Sequence, residues 1–189
     1  MFDVIIPARS GSTGIKNKNI KKFGKDILLN HLIKKIINIK KINKIFILTD
    51  SKSYKKKIIK NQKIVSDYIR PKNLSKSNSK IFDLIRSFIK WCDKKKLKLN
   101  KIIIFQATSP LLCKKEINKT ISFIEKNKLK SLYHVTEMLE HPHECIKGYK
   151  NNWSFLKKKE TINRQNYGKY YFITGSFYFF TKKFFFENK

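Results

Sequence analysis

Short apolar runs alternate with longer amphipathic stretches through the first two thirds of the chain. Residues 4–8 predict a buried strand, and residues 26–40 a helix with Ile27, Leu28, Leu32, Ile36 and Ile39 on one face. Residues 45–49 predict a second strand, closed by Asp50-Ser51 as caps for a lysine-rich helix. A weak strand at 64–69 and a polar loop lead to a helix opening at Ser79 and running through Trp91, which falls on its apolar face. Residues 102–106 predict a strongly apolar strand, followed by a loop and a helix over 114–126. This β-loop-α rhythm predicts an α/β fold: a mostly parallel sheet flanked by helices, with right-handed crossovers and ligands at the C-terminal ends of the strands.

Past about residue 131 the rhythm changes. Residues 132–136 predict a strand, 145–156 a hairpin around Asn151-Asn152, and 170–180 a long aromatic strand. We expect one domain over 1–189, with 131–180 as a β-rich region that covers a site or forms a dimer interface. Residues 182–189 are aromatic and show neither a cap nor a closing element, so the C-terminus is expected to be truncated. Phe184-Phe185-Phe186 reads as a sugar or dimer contact, or as core.

The chain has 189 residues, with 44 Lys+Arg against 13 Asp+Glu, a formal net charge of +31. Such a balance suits a polyanionic partner. Only four of these cations are arginine (Arg9, Arg70, Arg86, Arg164), however, and 28 Ile and 16 Asn accompany the 40 lysines. Residues with A/T-rich codons dominate, and such coding bias explains the lysine as well as a polyanion would. The aromatic and aliphatic content is too high for a disordered tail. No apolar run reaches the ~18 residues of a membrane span, and the first residues lack a basic region before their apolar stretch. Cys92, Cys113 and Cys145 show neither disulfide nor zinc spacing, so a reduced, cytoplasmic protein is expected.

In a chain this poor in Arg, Pro and Ala, those residues mark places where lysine or isoleucine cannot substitute. Pro7-Ala8-Arg9, Arg70-Pro71 and Gln106-Ala107-Thr108-Ser109-Pro110 all follow predicted strands, where an α/β protein builds its site. Between Arg9 and Asn19 lie two glycines, several hydroxyls and closing basic residues. Glycines let backbone N–H groups cradle phosphate oxygens; Arg9 can clamp a phosphate through two N–H groups, and Lys18 can act as a mobile point charge. The segment is neither the Walker pattern nor the dinucleotide fingerprint. Asp50 reads as a helix cap rather than a metal ligand, and His141-Pro142-His143 lacks the partners of a zinc site.

The run from Ile6 to Asn19 resembles the opening signature of the cytidylyltransferases that activate sialic-acid-type sugars, the acylneuraminate cytidylyltransferase family. Arg70-Pro71 with Leu74, Gln106 to Leu111, and Arg164-Gln165 with Gly175 and Tyr178 match in the same order, and Glu140-His141-Pro142 matches more weakly. The resemblance implies a Rossmann-like nucleotide-diphospho-sugar-transferase fold, Mg²⁺ dependence and a homodimer; the apolar pattern and the scarce arginines lead us to expect no membrane and no specific nucleic acid as partner. It implies CTP and a nonulosonic acid as substrates, a CMP-sugar and pyrophosphate as products. By the same resemblance Arg9 and Lys18 are the catalytic cations. Arg9, Ser12, Lys18 and Asn19 hold phosphates and ribose, with the backbone around Ala8 and Ser10 near the base and Arg70 on the cytosine side. Gln106 and Arg164 face the acceptor sugar, Arg164 toward its carboxylate, and Tyr178 packs on it.

The chain departs from the family pattern at Thr13, where lysine is usual, and at Ser77-Asn78, where an Asp-Thr type pair is common. The family's Asp-x-Asp metal segment lies later than Lys189, and no Asp follows Asp93, so the expected metal ligands are none of this chain's residues. Two alternatives stand beside the enzyme: an inactive or truncated relative that binds nucleotide or sugar without turnover, and a basic nucleic-acid-binding domain. The arginine shortage counts against specific readout by the latter.

Overall fold

Three apolar runs become neighbouring strands of one sheet, and the residues beyond their C-terminal ends gather in one crevice. The computed structural model describes residues 1–12, 14–157 and 164–188, with Arg164 described in its backbone alone. In chain order the elements are β1 (Phe2–Pro7), a short pair β2 (Lys22–Phe23) and β3 (Asp26–Ile27), α1 (Leu28–Ile36), β4 (Ile42–Leu48), α2 (Lys52–Lys57), β5 (Ile64–Val65), α3 (Ile81–Lys94), β6 (Lys101–Phe105), α4 (Lys114–Lys126), β7 (Ser131–Glu137), β8 (Ile146–Tyr149), β9 (Asn152–Phe155), β10 (Tyr171–Thr181) and α5 (Lys182–Glu187). The chain divides into two compact units, Met1–Tyr133 with Gly175–Lys189, and His134–Thr174.

The main sheet has the order β5-β4-β1-β6-β10-β7. β5, β4, β1 and β6 run parallel, with Ile5 opposite Phe46 and Val4 opposite Ile103; β10 runs antiparallel to β6, with Phe177 opposite Phe105. This is the mostly parallel sheet the β-loop-α rhythm predicts. Period-two alternation sends successive residues to opposite faces. Val4, Ile6, Ile45, Ile47, Ile103, Phe105, Phe177 and Phe179 meet the apolar stripes of α1 and α4 on one face. Ile5, Phe46, Leu48, Ile102 and Ile104 meet α3 and Phe185 of α5 on the other. Both faces are covered, which explains why the strands read as continuous apolar runs.

Strand order reverses at β1 and β6: the chain leaves β1 toward β4 and β5, then returns to β6 on the other side. In a doubly wound sheet this switch point opens a crevice outside the strands' C-terminal ends.

Several element boundaries differ from expectation. The helix expected over 26–40 is confined to Leu28–Ile36, because Gly24, at φ 59°, turns the chain so that Asp26 and Ile27 pair with Phe23 and Lys22. α3 starts at Ile81 rather than Ser79, whose hydroxyl instead donates to the Asn73 carbonyl at 3.0 Å. The final aromatic segment does have a cap. The Thr181 hydroxyl accepts the Phe184 N–H at 3.2 Å and starts α5, which buries Phe185.

In the second unit, β8 and β9 form the expected hairpin, with Gly148 opposite Trp153. A Cβ on Gly148 would come within 2.1 Å of the Trp153 ring, so only glycine lets the indole lie across the strand. The His141 ring stacks on Tyr167 at 4.2 Å, with Nε2 3.0 Å from the Gly168 carbonyl oxygen.

Candidate active site

The end of β4 organises the loop that follows β1. The Leu48 carbonyl accepts the Ala8 N–H at 2.9 Å, continuing the parallel ladder one residue beyond β1. Two residues later Asp50 takes both arms of Ser10: the backbone N–H on Oδ1 and the hydroxyl on Oδ2, each at 2.9 Å. Ser51 alone caps α2, accepting the Tyr54 N–H at 3.3 Å, so Asp50 is not the helix cap its position suggests. A cap needs one acceptor aimed at the helix, and both oxygens of Asp50 face Ser10.

α2 carries Tyr54, the one aromatic residue among its lysines, into the core. Its hydroxyl lies 3.1 Å from Asn17 Oδ1 and 3.4 Å from the Ser10 carbonyl oxygen, sharing one proton between two acceptors. Burial, with the Asp50 carboxylate adding to it, pushes the Tyr54 phenol above its ordinary range and keeps it a donor. Asn19, itself buried, donates from Nδ2 to the Arg9 carbonyl at 3.0 Å. Both ends of the 9–19 loop are thus fastened, while Gly11 and residues 14–17 are exposed.

Arg70 hangs from the same strand end: its N–H donates to the Thr49 carbonyl at 3.1 Å. Its guanidinium is buried and donates from Nε and one terminal nitrogen to the Leu74 carbonyl, at 2.9 and 2.6 Å. Burial pulls its pKa below the ordinary value, the Asp50 carboxylate opposing and the Arg9 charge adding. Arginine starts so high that the group stays cationic.

A third segment, residues 106–113, follows β6. His31 and Lys35 of α1 reach the Pro110 carbonyl oxygen, and Lys35 also donates to the Leu112 carbonyl at 3.2 Å. The Thr108 hydroxyl lies 3.4 Å from Gln106 Oε1. Across β10, Gly175 has φ 74°, and a Cβ there would sit 3.5 Å from the Tyr178 hydroxyl and 3.7 Å from the Gln106 amide nitrogen. That left-handed conformation is one a side chain strains to adopt.

These segments line one cavity of about 710 Å³. Arg9, Ser12, Lys18, Asn19, Arg70, Gln106 and Tyr178 all face it, as do Pro7, Gly14, Ala107 and Thr108. Among the described residues three cations and no carboxylate side chain line it, a composition suited to a polyanionic ligand. Ala8 and Ser10 do not line it: Ala8 is buried in the sheet and Ser10 is turned to Asp50. The Arg164 side chain and Thr13 lie outside the described residues.

The rest of the lining is mostly aromatic and aliphatic, and of it only Phe184 and Phe185 are marked by the sequence as a candidate contact. Ile81, Phe82 and Ile85 come from α3, Phe180 from β10 and Phe184 and Phe185 from α5. Phe82 stacks on Phe185 at 4.4 Å, Phe185 on Phe180 at 5.0 Å, and the Arg86 guanidinium lies 4.7 Å over the Phe82 ring. The clustering of phenylalanine at both ends of the β10–α5 segment was the only available signal. Tyr54, alone in a lysine run, was the corresponding signal on the loop side.

No group of three or more His, Cys, Asp or Glu among the described residues is placed to hold a metal ion. Asp50, the acid beside the loop, has both oxygens engaged by Ser10. Among the described residues the carboxylates do not cluster as Mg²⁺ ligands would. None of the described helices is long and apolar enough to cross a membrane.

Comparison with known proteins adds sequence and fold relatives. The family model described as Cytidylyltransferase matches residues 4–184. N-acylneuraminate cytidylyltransferases of Streptococcus agalactiae, from serotypes III and Ia, are 26% identical over 140 residues, 73% of this chain and 32% of theirs. The matched stretch therefore spans about a third of those relatives' length. A solved CMP:2-keto-3-deoxy-manno-octonic acid synthetase complexed with CTP superposes with TM-score 0.65 at 12% identity, covering 98% of this chain and 76% of that one. The 4-diphosphocytidyl-2C-methyl-D-erythritol synthase of Anaerococcus prevotii superposes with TM-score 0.59 at 18% identity, covering 97% and 70%.

Proposed function

The chain belongs to the cytidylyltransferase family, and from that premise we propose that its cavity binds CTP and transfers CMP to the anomeric hydroxyl of a sialic-acid-like nonulosonic acid. The observation that carries this is the convergence of Arg9, Lys18 and Arg70 with Gln106 and Tyr178 on one cavity at the sheet's switch point. The 26%-identical acylneuraminate enzymes support the acceptor class.

In the proposed reaction the sugar's anomeric oxygen attacks the α-phosphorus of CTP. A new P–O bond to the sugar forms, the bond between the α-phosphorus and the bridging oxygen breaks, pyrophosphate leaves with the electron pair, and the hydroxyl proton passes to solvent or product. The work of the protein in such a transfer is to position the reactants and offset phosphate charge. Arg9 suits a bidentate hold on phosphate, and Lys18, lining the same cavity from the fastened loop, supplies a mobile charge. Arg70 adds positive potential and shapes the 70–74 turn, since two of its nitrogens are spent on Leu74. Gln106 and Tyr178, which any side chain at position 175 would crowd, offer hydrogen-bonding groups to the acceptor. We extend the proposal to a homodimer, supported by the exposed Ile146, Tyr149, Trp153 and Phe172 of the second unit.

The test is pyrophosphate release from CTP, with MgCl₂ present, against a panel of nonulosonic acids and 3-deoxy-manno-octulosonate. The proposal expects release that requires both CTP and a nonulosonic acid, with ATP inert. Release of equal extent from ATP, or only with the octulosonate, would contradict it.

A further inference from the structure

We propose that Asp50 is a positioning residue for the nucleotide, setting the 9–19 loop through Ser10 with Tyr54 as its brace; this rests on the reading of that loop as the phosphate cradle. Three successive residues at the end of β4 hold the two arginine-bearing segments. The Leu48 carbonyl holds the N–H of Ala8, Thr49 holds the N–H of Arg70, and Asp50 holds Ser10. Arg9 is therefore bracketed on both sides by bonds to one strand end, and Arg70 hangs from the residue between.

Only the Asp50 tie is made by a side chain. A carboxylate has two acceptor oxygens and can receive a backbone N–H and a hydroxyl at once, which fixes both the position and the rotation of Ser10. Tyr54 then fastens the other side of Ser10, through its carbonyl, together with Asn17 at the far end of the loop. The cost is electrostatic. A negative group stands close enough to Arg70 and Tyr54 to act on both, next to a cavity suited to an anion. An acid in that place weakens phosphate binding through its charge alone, so its geometric contribution must outweigh that penalty.

The two effects have opposite signs, and this makes the proposal testable. If Asp50 acted only through charge, removing it would tighten CTP. As a positioning residue it does the reverse. We expect Asp50→Ala to weaken CTP affinity about tenfold and to speed exchange of the Ser10 amide in the free protein by about tenfold, the size of a lost hydrogen bond to a charged partner. Asp50→Asn keeps an acceptor for the N–H while losing the charge, and should stay within about threefold of the parent in both readouts. Ser10→Ala deletes the hydroxyl arm alone, leaves the core intact, and should weaken CTP about threefold even if Asp50→Ala does not fold. Tighter CTP binding in Asp50→Ala, or unchanged Ser10 exchange in Asp50→Ala, overturns the proposal. If the parent chain binds no CTP, the proposed function fails, and amide exchange alone decides whether Asp50 sets the loop.

Discussion

The loop side and the aromatic side of the cavity are held by different forces. Arg9 and Lys18 sit on a backbone fastened by directional bonds: Asp50 to Ser10, Tyr54 to Ser10 and Asn17, Asn19 to Arg9. Phe82, Phe180 and Phe185 are held by stacking over a buried face and need no single partner. Directional bonds place a charge accurately and contribute little net stability. Stacked rings contribute much stability and tolerate exchange for residues of similar volume. Substitutions on the loop side should therefore cost function at nearly constant stability, and those on the aromatic side the reverse.

The largest effect expected is that of Arg9→Ala, which should lower kcat/KM for CTP by about 10²–10³, as for other losses of an aimed charge. Its melting temperature should move by no more than about 2 °C. Phe185→Ala should destabilise the chain by about 3 kcal/mol by thermal or urea unfolding, and Phe185→Leu should recover more than half of that. A loss of CTP affinity in Phe185→Ala without destabilisation would erase the distinction between the two sides. Gly175→Ala should cost about 1 kcal/mol through its positive φ. Its new methyl, facing Tyr178 and Gln106, should raise KM for the acceptor while leaving KM for CTP unchanged.

The smallest and most local effect concerns thiols. Burial, with Asp93 and Asp3 adding, pushes Cys92 up to about 12, and it lies in the same apolar cluster as Phe185. At pH 8 the exposed Cys113 should react with a disulfide reagent while Cys92 does not. Phe185→Ala should unmask Cys92, and Tyr54→Phe should not.

The same contrast explains what the sequence revealed. β1, β4, β6 and α4 are strongly periodic and buried on both sheet faces or along one helix stripe, so their pattern is legible. Arg9, Lys18, Arg70, Gln106 and Tyr178 are placed by rare residues and short motifs, and all five reach one cavity. Asp50 was visible as a polar residue at a strand end, but its partner Ser10 is forty positions away, and only the parallel pairing of β1 with β4 joins them. The aromatic side was harder. A run of phenylalanines carries no direction, and the Thr181 cap that turns it into α5 is one hydroxyl in an otherwise strand-like stretch.

The net charge of +31 makes diffuse attraction of any polyanion a serious competitor to the cavity. Titration of CTP into ¹⁵N-labelled chain at about 0.3 M salt, where surface charges are screened beyond a few ångströms, separates the two. Binding at the cavity predicts saturable amide shifts concentrated at residues 9–19, 70–74 and 106–108, absent with ATP at the same concentration. Shifts spread over the lysines of α2 and α4, or none at all, would contradict it.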